Sequence, residues 1–548
     1  MAQADVVLAL LTQRVTAMSE RVAVVRRRLA DRENLPGVNA LLDGLVLAID
    51  ETARRRRIET SALSSQDDAK RNATAEAAVK HTNHLESVVG LYLSAVIVTH
   101  GSDFDMLIRP LRRLAKLLAP DTEIVFQPAD QNVYRVSGQE LIASAAGLDK
   151  SEDGRLDDAL AALPRVVAVE YPAVAEAEVF QHAQIAHEFA HLVLRQPDPN
   201  APTKVRRDVL FDRFFDPVAG HVRQRFKFTT KPSFKRPKDF KSLPESRQRA
   251  IDSGIARRRK RHELAKANYE AEKDRLRNWA AEFFCDGLAL RLVGPAFFFA
   301  LYESAARHGP WYVDPRSRQG RKHPHFAWRI AVLGEKAEDY FDASAAISSP
   351  EVCELLDQAE RERLCTLLDQ GLSLVRRLCQ SAPPASHDAV ERDVIAPAVA
   401  ELHQQAEEML QGGEYRQEDF WRELAPVVIK LEAGIPPAER LPHRHPLRGS
   451  KAVSWRLRKE GERATKRHEW SHPFDWRSIL NGAYIEYLLH EASSDRAETL
   501  ADARALHGRR TEALAAVRGS IELSELLRQA HELRRDAVML DPKAHALA

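Results

Sequence analysis

The sequence predicts a mainly helical protein with a small sheet, an α+β arrangement, from three observations. Apolar residues recur at three- and four-residue spacing over 1–85 (Val7, Leu10, Leu11, Val15, Met18, Val22, Val25, Leu29), the stripe of an amphipathic helix. Short β-branched runs follow between about 96 and 171, the pattern of buried strands. Beyond about 335 the helical pattern returns, broken at 382–384 and in the proline-rich stretch 435–449.

Taken in order, Asn34, Leu35, Pro36 and Gly37 divide the first region into two helices, and the polar stretch 64–68 opens a third. Val96, Ile97 and Val98, then 123–126 and 133–136, read as strands, with a helix over 106–118 between them. The clearest strand is 165–171 (RVVAVEY), ended by Pro172. A long helix is expected over 174–194, an interruption over 197–275, a helix over 280–292 and a loop over 310–324. At 548 residues the chain exceeds one ordinary core. The expected organisation is a helical region 1–85, a core 86–335 with a basic insertion at about 200–275, and a helical region 336–548, without internal repeats.

Hydrophobic residues at 44% and charged residues at 29% exclude a mostly disordered chain. At a net charge of +2 the molecule taken as a whole is not a general polyanion binder, although the charge is unevenly placed. Four cysteines without CxxC spacing give no disulfide framework and fit a reducing compartment. The longest apolar stretch, 88–98, is about half the ~20 residues that span a bilayer. With no basic region before the short apolar run at Val6, a cytoplasmic protein without membrane insertion is expected.

His187-Glu188-Phe189-Ala190-His191 is an HExxH motif. Four residues advance a helix by about 400°, so both imidazoles project from one face and can grip one metal ion. Imidazole suits Zn²⁺. Glu188 lies about 100° round from His187, beside the water that a bound zinc would activate, where it would act as general base. The bland alternative is two histidines satisfied by core or solvent. Context favours the metal: no proline or glycine interrupts 174–194, and Ile185, Phe189, Leu192 and Val193 pattern the helix. The strand before it offers an edge to which a peptide could pair.

A catalytic zinc site takes three protein ligands and leaves a position open. Glu282 and Asp286 lie one turn apart in an otherwise apolar stretch, 279–292. Two carboxylates on such a surface are costly without partners. A metal for Glu282 and the N–H of a ligand histidine for Asp286 would satisfy both; a solvated acidic face is the alternative. Cys285 between them is expected to point elsewhere, as a small buried hydrophobe.

HExxH, then ExxxD, then His323-Pro324-His325-Phe326-Ala327-Trp328-Arg329-Ile330 resembles the motif order of gluzincin metallopeptidases. It looks most like the branch of CAAX prenyl proteases and HtpX-type membrane proteases. The resemblance covers roughly 170–333. It implies a gluzincin-like core with one zinc held by His187, His191 and Glu282, Glu188 as base and Asp286 behind the ligands. It further implies Arg329, with His323, near the site, steadying the second carboxylate or the developing oxyanion. Two departures stand out: the branch is usually membrane-embedded, and the gap from His191 to Glu282 is long. The expected activity is peptide-bond hydrolysis in protein or peptide substrates, the flanking helical regions limiting access or recruiting a partner.

Between Arg223 and Arg261 fifteen Lys or Arg stand against three acids, with Phe226, Phe228, Phe234 and Phe240 interleaved. That composition suits nucleic acid, an acidic partner or a flap over the site. A nucleic-acid-associated protease and a catalytically silent metal scaffold are therefore the rival readings. Four consecutive arginines, Arg54 to Arg57, read as a solvated helix face. The second basic stretch, 444–467, with Trp455, Trp470 and Trp476 in or after it, reads as a charged loop. The pairs His443/His445 and His468/His472 read as surface histidines.

Overall fold

The computed structural model describes residues 3–29, 36–62, 66–101, 105–129, 135–138, 165–172, 179–229, 234–308, 323–381, 395–410, 414–440, 472–493 and 500–540. The chain opens with α1 (Gln3–Leu29), α2 (Pro36–Ala62), α3 (Asp68–Gly101) and α4 (Asp105–Leu118). Strands β1 (Thr122–Ala129), β2 (Arg135–Gly138) and β3 (Arg165–Pro172) follow, then α5 (His182–Leu194), β4 (Pro197–Asp198), β5 (Ala201–Val205) and α6 (Arg206–Arg225). Next come α7 (Glu245–Val293), α8 (Ala296–His308), α9 (Phe326–Glu338), α10 (Ala343–Ser348), α11 (Pro350–Leu355) and α12 (Gln358–Ser381). The remainder is α13 (Ala396–Met409), α14 (Gln417–Glu432), β6 (Glu439–Arg440), β7 (His472–Pro473), α15 (Trp476–Ser493) and α16 (Leu500–Leu540). Helices dominate the described residues and the sheets are small, as the sequence predicts.

The residues fall into two compact units. One comprises 1–189, 353–361 and 422–548; the other comprises 190–352 and 362–421. The boundary falls inside α5, a single continuous helix that therefore contributes to both.

In the first unit, α1 buries Leu8, Leu11, Val15, Met18, Val22 and Val25, alternating three- and four-residue steps that keep one seam against α2 and α3. That core reaches Val125 of β1 and Ala168 of β3. The sheet has the order β1-β3-β2, parallel between β1 and β3 and antiparallel between β3 and β2. β3 is central, and Val167, Ala168, Val169 and Tyr171 are all buried, as a strand covered on both faces requires. A peptide pairing with β3 would find both sides occupied, so that expectation is corrected: the edges belong to β1 and β2. Phe180, in a 3₁₀ turn before α5, packs on Tyr484 of α15 with ring centroids 4.1 Å apart.

Val96, Ile97 and Val98 are not a strand but the last turns of α3. Val96 is buried while Ile97 is exposed, and the helical phase carries on from Tyr92 and Leu93. Thr99 donates to the Ala95 carbonyl at 2.6 Å and accepts the Phe126 N–H at 2.7 Å. Helical packing against β1 outweighs the strand preference of three β-branched residues, which is weak and context-dependent. The helix expected over 174–194 is described only from a 3₁₀ turn at Val179–Gln181 into α5. Residues 133–134 lie outside the described set, and β2 begins at Arg135.

In the second unit α7 is the axis. The helix expected over 280–292 is its last quarter, and its first third, 245–261, is the last part of the basic stretch. Between 245 and 278 the sequence is polar with few apolar positions, so no stripe marks it. Ala, Glu, Lys, Arg and Gln favour helix there, and no proline stops it. Trp279, Phe283 and Trp328 interlock, with centroids 5.7 Å apart for Trp279–Trp328 and 4.8 Å for Phe283–Trp328, joining α7 to α9. The Tyr340 hydroxyl donates to the Tyr415 carbonyl at 3.0 Å, and Trp421 Nε1 donates to the Tyr340 carbonyl at 2.6 Å.

Candidate metal centre

Every residue from Val179 to Ala190 is buried. A helix buried on all sides carries polar side chains only where they have partners. Yet Gln181, His182, Gln184, His187 and Glu188 all sit there, with Gln184 Nε2 donating to Gln181 Oε1 at 2.8 Å. His191, one turn past His187, keeps 24% of its side chain exposed. The pair is thus enclosed on one side and reaches solvent at one end.

His187, His191 and Cys285 form a group whose ligand atoms lie within 4.8 Å of one another. Cys285 is buried, as expected, but it does not point away from the histidines: its Sγ stands 3.4 Å from His191 Nδ1. Three residues advance a helix by about 300°, leaving Cys285 only ~60° from Glu282 on the surface of α7. The sulfur therefore shares the face of the two carboxylates.

Glu282 occupies the other edge of the same imidazole, its Oε1 3.6 Å from His191 Nε2. Its Oε2 lies 3.1 Å from His323 Nδ1 and 3.7 Å from Arg329 Nη1. Arg329 is committed to Asp286 through a two-bond fork, Nε to Oδ2 at 2.7 Å and Nη2 to Oδ1 at 2.6 Å. Asp286 is fully buried and Arg329 nearly so. Burial is the largest influence on Arg329 and opposes its charge. The charge and hydrogen bonds of Asp286, followed by the charge of Glu282, outweigh it and hold the guanidinium above its ordinary range. Of the two roles implied for Arg329, the geometry brings it to the second carboxylate.

Donor spacing shows what could be held. Two donors about 2.1 Å from a tetrahedral zinc are about 3.4 Å apart, and a nitrogen–sulfur pair about 3.6 Å. The His191–Glu282 separation of 3.6 Å and the His191–Cys285 separation of 3.4 Å both suit a shared ion. They use different nitrogens of one ring, so a single ion engages Glu282 or Cys285 through His191, not both. The imidazole, carboxylate and thiol set fits zinc.

His403 of α13 is the group the sequence did not single out. Its ring lies against Gly287, where a Cβ would come within 2.7 Å of Cδ2. Glycine thus lets α13 approach the turn of α7 that carries Asp286. Burial drives the His403 pKa down to about 4, with Asp286 the leading opposing influence. No local pattern in 396–409 marks this histidine, because its partners lie more than a hundred residues earlier. His443, His445, His468, Trp455 and Trp470 lie outside the described residues, as does the His472 side chain. No protein-family model, curated protein or solved structure matches the chain.

Proposed function

We propose that the chain is a zinc-dependent peptidase acting on peptide bonds of protein substrates, with one metal per chain held by His187, His191 and Glu282. The observation that carries the reading is the Glu282 oxygen 3.6 Å from His191 Nε2, on a second helix facing an HExxH helix. A bound zinc would acidify water and polarise the substrate carbonyl. Glu188, following His187 on the helix, would take the proton from the attacking water and pass it to the leaving amine. Arg329 is spent on Asp286 and fixes the α7 turn from which Glu282 projects. His323, with 45% of its side chain exposed, remains able to turn and donate to the oxyanion.

Support for a cytoplasmic setting comes from two facts. The four cysteines form no disulfide, and among the described residues no helix is long and apolar enough to cross a membrane. A prenylated or membrane-embedded substrate is accordingly no part of the proposal.

Elemental analysis joined to proteolysis by wild type and Glu188→Gln tests the reading. Expected are about one zinc per chain in both forms and activity lower by roughly 10²- to 10⁴-fold in the variant. Absence of zinc both as purified and after reconstitution would sink the metal centre. The Cys285 sulfur favours a second reading, a silent scaffold with a His₂Cys site; zinc in both forms with equal inertness on a broad peptide library would favour it.

A further inference from the structure

The N-terminal half of α7 concentrates positive charge that is largely without ion pairs among the described residues. Arg257, Arg258, Arg259, Lys260 and Arg261 are consecutive and all exposed. Five helical residues turn through more than a full circle, so the charge surrounds the helix and is not confined to a stripe. None of the five forms an ion pair among the described residues; Arg259 stands 5.8 Å over the Phe234 ring. Arginines nearby do pair: Arg249 with Glu245, Arg275 with Glu272 and Arg236 with Asp252. Like charges three and four residues apart weaken a helix. Five such charges stand against one nearby acid, Glu263, with which no ion pair forms among the described residues, and this accumulation calls for an anionic partner from outside the chain.

The phenylalanines of this region are half-buried, and three of the four pack on neighbouring side chains. Phe228 stacks on His262 and Tyr269 at 5.5 and 4.8 Å, Phe234 meets His262 at 5.7 Å, and Arg236 covers Phe240 at 4.5 Å. Phe228 and Phe234 thereby hold their own segments against α7. Lys227, Lys235, Lys238 and Lys241 in 226–244 are left exposed beside the arginines.

We propose that this part of α7 docks double-stranded nucleic acid through its phosphates, without regard to sequence. A single strand would call for free aromatic platforms, and those present are engaged. A helix lying on lipid would call for an apolar face opposite the charge, and 257–261 has no apolar residue. A specific protein partner would call for an apolar interface centre. Residues 245–261 extend for about 25 Å, and a duplex offers one negative charge per ~1.7 Å of axis. The chain is only +2 overall, so the rest of it is net acidic and would steer a polyanion to this surface.

The test uses the full-length protein and two fluorescein-labelled 20-base-pair duplexes of unrelated sequence, with anisotropy read from 50 to 200 mM KCl. Both duplexes should bind within about twofold of each other. Affinity should fall roughly 500-fold over that salt range if five phosphates are contacted. Replacing Arg257, Arg258, Arg259, Lys260 and Arg261 together by Gln should abolish most binding at 50 mM and flatten the salt slope. Circular dichroism and zinc content should be unchanged, and Glu188→Gln should bind like wild type. Salt-insensitive binding, no binding at 50 mM, or a five-Gln variant that binds normally would overturn the proposal. So would tighter binding to single-stranded DNA, phosphatidylserine vesicles or polyglutamate than to the duplexes.

Discussion

Arg329 reaches two carboxylates with three nitrogens, and the cost of removing it can be put on a scale. With Met at 329, Asp286 would stay buried without its fork, which should lower stability by about 3–5 kcal/mol in chemical denaturation. Lys should recover only part of that loss, because an ammonium cannot make two parallel bonds. Cys285 makes a different prediction. If Glu282 is the third ligand, the cobalt-substituted protein should lack a sulfur-to-cobalt charge-transfer band, and Cys285→Ala should leave its spectrum nearly unchanged. An intense near-ultraviolet band lost in Cys285→Ala would move the third ligand to the sulfur. That His187 and His191 come together was legible because their four-residue spacing lies within one helical turn. Cys285 was misjudged on its direction, since a ~60° offset still counts as the same face when the partner is a broad imidazole.

At the scale of elements, α13 and α7 meet where His403 lies on Gly287. His403 has a folded pKa of about 4 against an ordinary 6.5. Between those values the unfolded chain binds more protons than the folded one, so stability is full above about pH 6.5 and falls as pH drops towards 4. The loss should reach about 3 kcal/mol. Thermal unfolding at pH 7 and pH 4.5 should show it, and His403→Gln should shrink the difference. Asp286, Glu407 and Lys336 contribute charge there and are kept in both proteins. Gly287→Ala should cost about 1–3 kcal/mol, since a methyl group meets the ring too closely. Helices with an apolar stripe, α1 to α4, were readable from spacing alone. The terminal turns of α3 and the first half of α7 were not: one hides behind β-branched residues, the other has almost no stripe. Both are decided by what packs on them or by propensity summed over many turns.

For the whole molecule, the division into two compact units argues against a single all-or-none transition. Calorimetry should resolve more than one unfolding event. If the proposed site binds zinc, the metal at about 100 times its dissociation constant should add about 2.7 kcal/mol to the stability of the folded chain, and a chelator should remove that increment. The sequence conveyed the helical character and the small sheet, whereas the assembly of distant segments such as 353–361 and 422–548 with the N-terminal helices depends on contacts with no local signature. One continuous helix, α7, carries both the exposed arginines and Glu282. Twenty-one residues separate Arg261 from Glu282, roughly 30 Å at 1.5 Å per residue. The helix is therefore a ruler. If the proposed duplex and metal sites both hold, a duplex at one end would present its bound proteins at a fixed reach from the metal, and cleavage would be selected by distance along the complex before any side chain of the substrate is read.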